Sequence, residues 1–119
     1  MNTLIYLSLA VNILVLVPIV ILMSIKAKIV DETWGAMSPA RGILFSIYFS
    51  ILFASIGLVF LPVPAFVAAL LSVQVIYKVT TPFTVGSFKH PVVISNLVIS
   101  VVHVATLVSI FTEVGSEFV

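Results

Sequence analysis

From Gly42 to Tyr77 the chain carries no charged side chain, and that run is too long to be a single membrane-crossing helix. At about 1.5 Å of rise per residue it would extend about 54 Å, against about 30 Å of bilayer hydrocarbon. Leu61-Pro62-Val63-Pro64 interrupts it near its middle. The residue before each proline is pushed out of the helical region, so a helix ends there, and Pro64 can open the next one. The run therefore reads as two spans joined by a tight turn. Composition agrees: of 119 residues, 62% are hydrophobic and 8% charged, where soluble domains carry about 25% charged residues. A chain this apolar cannot cover its own surface with polar groups in water, so the membrane class follows.

Two further spans flank this pair. Residues 1–25 lack charge until Lys26 and Lys28, and the run has neither the basic start nor the small-residue cleavage site of a secretory leader. Pro18 within it predicts a local kink, since neighbouring groups can satisfy the freed backbone. Ser38-Pro39 reads as a helix start, hydroxyl cap first and proline at the first helical position. Pro82 is expected to stop the third span, with Lys78 in its last turn snorkelling to the headgroups. Pro91 opens the fourth. The expected architecture is an all-α integral membrane protein of one embedded unit, residues 1–119, with four transmembrane helices at about 3–25, 40–61, 64–81 and 91–111 and short loops. Residues 26–40 read as an interfacial turn, with Trp34 at headgroup level. The closing TEVGSEFV segment is too short to fold alone.

The charges predict the orientation. In a four-span chain the loops 26–40 and 82–90 face one side, and Lys26, Lys28, Arg41, Lys78 and Lys89, all the Lys and Arg of the chain, belong to it. The positive-inside rule places both loops in the cytoplasm and both termini on the non-cytoplasmic side, in the cytoplasmic (inner) membrane if the source is bacterial.

Two kinds of residue stand out within the spans. Ser46, Ser50 and Ala54 recur every four residues with Gly57 close to their face, and Ala65 and Ala69 do the same in the third span, beside Ala68 and Ser72. Small residues at this spacing let helix backbones approach closely in lipid, so they predict contact between these spans or with a partner. The second kind is polar: Asn12, Gln74, Asn96 and His103 lie deeper than an interface, and Asn96, Ser100 and His103 share one helical face. An unpartnered polar group in lipid costs several kcal/mol, so these side chains are expected to meet protein, ligand or water in one cluster.

His103 has two main readings, with a proton-relay or ligand-binding role as a third. One is a neutral imidazole bonded to Gln74, Asn12 or a carbonyl, holding helices together. The other is the single protein ligand of a haem or chlorophyll-type macrocycle, neutral imidazole being the commonest metal-binding side chain. A bis-histidine site within one chain is excluded, because His90 lies about 20 Å away along the same helix. His90 itself, beside Lys89, is expected to meet lipid phosphate or water.

Absences sort the function classes. A net charge of +1 gives no basic patch for nucleic acid, and zero cysteines exclude disulfides and thiolate chemistry. No nucleophile–base pair, metal-ligand cluster or phosphate loop is visible, so an enzyme is not expected. In size and span count the chain is similar to small multidrug resistance exporters, but the glutamate expected in their first span is missing. Asn12 and Ser8 are the nearest polar residues, and the family is not carried over. The sequence therefore predicts a small accessory subunit of a respiratory, photosynthetic or transport complex, with the bilayer and other membrane subunits as partners. The alternatives are a homo-oligomeric channel or small transporter lined by Asn12, Gln74, Asn96, Ser100 and His103, and a holin-like permeabilising protein.

Overall fold

The computed structural model describes residues 3–118 and the side chains of residues 3–113. It is all-helical among those residues: α1 (Thr3–Ser24), α2 (Lys28–Trp34), α3 (Pro39–Phe60), α4 (Pro64–Val85) and α5 (Pro91–Phe118). Four of these, α1, α3, α4 and α5, are long and apolar enough to cross a membrane. Large apolar side chains such as Leu14, Phe53, Phe60, Ile76, Phe83 and Val101 point outward. That arrangement fits a hydrocarbon solvent, in which apolar groups need no covering.

The helix ends follow from local chemistry. Ser38 Oγ accepts the Arg41 backbone N–H at 3.1 Å, which is the expected serine cap ahead of Pro39. Val63 caps α4, with Pro64 at its first position. His90 performs the same service for α5, its Nδ1 accepting the Val92 N–H at 3.1 Å; this histidine, expected to meet lipid or water, is a helix cap. At the end of α1 the Ala27 N–H reaches back to Leu22 O and the Lys26 N–H to Met23 O. This pairing closes a helix on a left-handed residue, here Lys26 at φ +54.

Three expected boundaries are corrected. The segment after Lys26 is not a bare turn, because Lys28–Trp34 forms a short helix closed by Gly35. Pro82 does not end the third span: α4 continues to Val85 and closes on Gly86 in the left-handed region. Proline deprives only the Lys78 carbonyl of its helical donor, and Thr81 Oγ1 fills that vacancy from 2.6 Å away. The fourth helix runs past Phe111 to Phe118, so the polar segment following Phe111 extends an existing helix instead of having to nucleate one. Val119 lies outside the described residues. Pro18 sits inside an unbroken α1.

The chain divides into two compact units. One joins the first residues of α1, through Ser8, to everything from Leu61 onward. Within it α4 and α5 pack on each other across the turn at 86–90. Leu4 O meets Thr106 Oγ1 at 3.1 Å and Ser8 Oγ meets His103 Nδ1 at 3.0 Å. Advancing along α1 thus retreats along α5, and the two run antiparallel. The other unit, Leu9–Phe60, holds the rest of α1, α2 and α3.

Candidate functional site: a buried polar seam

The seam begins at α4. Thr81, Lys78 and Gln74 stand three and then four residues apart, one helical face, as do Asn96, Ser100, His103 and Thr106 on α5. Lys78 Nζ donates to Asn96 Oδ1 at 3.2 Å, and Asn96 Nδ2 donates to Thr81 Oγ1 at 3.3 Å. Ser100 Oγ returns its proton to Asn96 O at 2.8 Å. Lys78 is only 5% exposed, so it does not snorkel. Its ammonium also lies 4.9 Å from the centre of the Tyr77 ring, within reach of a cation–π attraction. Among the described residues it has no carboxylate partner; the one ion pair joins Arg41 to Asp31.

Deeper along α5 the seam reaches α1. His103 Nδ1 lies 3.0 Å from Ser8 Oγ, which lies 2.6 Å from Thr106 Oγ1, and Thr106 bonds Leu4 O. His103, Ser8 and Thr106 are all fully buried. Gln74 is buried with them. The expected polar residues of this unit, Gln74, Asn96, Ser100 and His103, are therefore interior groups, with Lys78, Ser8 and Thr106 added and the half-buried Thr81 at the edge of the seam. Asn12 belongs to the other unit, where its Nδ2 donates to Ser55 Oγ at 3.1 Å.

Sequence reasoning passed over Ser8, Ser55, Thr81, Lys78 and Thr106 as site residues. A hydroxyl in an apolar helix carries no signal of its own, because it can bond its own backbone, as Ser50 and Thr80 do here. Lys78 did carry a signal: it shares a face with Gln74, four residues earlier, and a lysine in register with a buried amide points inward.

The surroundings of His103 do not fit a macrocycle ligand. An axial imidazole must present one nitrogen to a flat ring system, yet this ring is 0% exposed and one nitrogen already faces Ser8. No group of three or more His, Cys, Asp or Glu among the described residues is placed to hold a metal ion. The imidazole is a hydrogen-bonding element of the interior.

The small-residue faces are placed differently. Ser46, Ser50 and Gly57 on α3 are exposed and Ala54 half-buried; on α4 Ala65 and Ala69 are exposed, while Ala68 is buried and Ser72 half-buried. Ser50 Oγ donates to Ser46 O at 2.8 Å, so this face shows no unspent hydroxyl donor at Ser50. Comparison with family models, with curated proteins and with solved structures found no match.

Proposed function

We propose that this chain is a small non-catalytic subunit of a larger membrane assembly, docking on other membrane subunits through the small-residue faces of its helices. The observation that carries this reading is the contrast between inside and outside. The amide, lysine and imidazole side chains within the spans (Asn12, Gln74, Lys78, Asn96 and His103) are buried, and those of the seam bond across helices within the chain. The outward positions hold large apolar side chains together with the shallow column Ser46, Ser50 and Gly57. In lipid, association is driven by close packing, and a column without bulky side chains is where another helix backbone approaches nearest. The assembly would be respiratory, photosynthetic or transport-related. The antiparallel contact of α1 with α5 supports termini on a common side, and the basic loops support placing that side opposite the cytoplasm.

A homo-oligomeric channel or transporter is the second reading, favoured by Lys78 within the seam, since an intramembrane ionisable residue commonly marks an ion or proton route. One experiment separates the two: the native mass of the protein extracted from its own membrane in mild detergent, beside the variant with Ser46→Leu and Ser50→Leu. The subunit reading expects a heteromeric mass that falls to the single chain in the variant. A homo-oligomer from wild-type membranes overturns it in favour of transport.

A further inference from the structure

At the end where α1 stops and α3 starts, the structure contains a cleft of about 160 Å³ that combines two cations with an apolar wall. Arg41 and Lys26 line it on the charged side, Met23, Met37 and Phe45 on the apolar side. The Arg41 side chain is only 6% exposed. Both of its hydrogen bonds leave from Nη1, one to Asp31 and one to Gly35 O at 2.8 Å. Its Nη2 and Nε donors meet no acceptor among the described residues, and neither does the Lys26 ammonium. Ser24, also at the cleft, gives its hydroxyl proton to Ile21 O, so the two cations are the donors left for a ligand. Asp31 neutralises one positive charge and the site keeps a net charge of +1.

We infer that this cleft binds an anionic phospholipid, its phosphodiester held by Arg41 and Lys26 and its acyl chains lying along Met23, Met37 and Phe45. A buried guanidinium with open donors matches the planar geometry of two phosphate oxygens. Both cations sit at helix ends, Lys26 just past α1 and Arg41 in the first turn of α3, the depth at which headgroups begin. Basic pockets between spans at that depth select anionic headgroups. The apolar wall distinguishes a lipid from a free anion, which would leave Met23, Met37 and Phe45 unpaired. A zwitterionic headgroup carries its own cation toward Lys26 and is disfavoured. This site needs only that α1 and α3 cross a bilayer and stands apart from the docking reading above.

The test is native mass spectrometry of the full chain in mild detergent, with phosphatidylglycerol or phosphatidylcholine added to the micelles. Wild type should retain phosphatidylglycerol with at least about tenfold preference. Two variants should each cut that preference about tenfold while keeping the helices, as checked by circular dichroism. Lys26→Gly removes the ammonium at a backbone position, φ +54, that glycine adopts freely. Gly42→Leu fills the cleft, since a Cβ there meets only the end of Met37 at 3.9 Å. Equal retention of the two lipids, or unchanged phosphatidylglycerol in both variants, overturns the proposal. Displacement of the lipid by an equal concentration of free glycerol phosphate also overturns it, assigning the cleft to a soluble anion.

Discussion

A lysine ammonium buried between two apolar helices is tolerable only while something accepts its protons, and at Lys78 that acceptor is the amide oxygen of Asn96. The two residues are therefore unequal under mutation. Asn96→Leu strands a buried charge and should lower unfolding stability by about 2 kcal/mol, the scale of a hydrogen bond to a charged group. Lys78→Met removes the charge, keeps an unbranched apolar stem and should cost less than about 1 kcal/mol. The double variant should be no less stable than Lys78→Met plus a small packing loss. Thermal unfolding of the four proteins in one detergent measures this, and equal losses from the two single changes would sink it. The same asymmetry explains what sequence alone could show at this scale. Asn96, Gln74 and His103 were visible because an amide or imidazole in an apolar run must be partnered. Their partner Ser8 was not, because a serine can bond its own helix, and the register of Lys78 with Gln74 was outweighed by a lysine's ability to reach an interface. The enclosure of His103, which argues against a macrocycle there, is a property that no pattern of residues in one chain conveys.

At the scale of elements, the prolines were the clearest signals and also the source of the main error. Pro39, Pro64 and Pro91 each open a helix where expected, because a first-turn position needs no N–H. Pro82 obeys the same physics with the opposite outcome. It costs α4 a single hydrogen bond near its end, and the preceding threonine supplies a substitute donor to the Lys78 carbonyl. Gly86, at φ +79, is the residue that stops the helix, and its N–H bonds to Pro82 O. If Thr81 compensates for Pro82, the two positions must be coupled. Thr81→Val in the natural chain should cost about 1–2 kcal/mol, losing the bond to Lys78 O and the one accepted from Asn96. With Pro82→Ala in place, residue 82 gains an N–H for that carbonyl, and the same threonine change should cost about half as much. Unfolding midpoints for this cycle decide the matter, and strict additivity would show that the threonine hydroxyl is incidental to the last turn. The short helix α2 was invisible for a different reason: seven residues lie below the length at which a helical pattern is legible, and its stability comes from packing.

For the whole molecule the remaining question is which way its four long apolar helices would thread a membrane. Four helices long and apolar enough to cross a membrane were legible because the bilayer rejects backbone that is not hydrogen-bonded, leaving only long apolar helices as solutions. Orientation rests on charge, and burial changes the inventory: Lys78, bonded to Asn96, no longer counts as a loop residue. Lys26, Lys28, Arg41 and Lys89 remain, and all four lie in or beside the loops after α1 and α4. The bias therefore survives the loss of one member, and nothing basic stands at the Leu61–Val63 turn to oppose it. Because the chain has no cysteine, single thiols can report each side without a background. Met37→Cys, Leu61→Cys and Phe88→Cys all fall on exposed positions, where a thiol can meet an aqueous maleimide. In intact bacteria a membrane-impermeant maleimide should label the Leu61 variant alone, and the other two only after lysis. Labelling of the Met37 and Phe88 variants in intact cells, with the Leu61 variant silent, would keep four crossings and invert the orientation. Met37 and Phe88 reporting from opposite sides would remove the four-span threading itself, since an even number of crossings must separate those two loops.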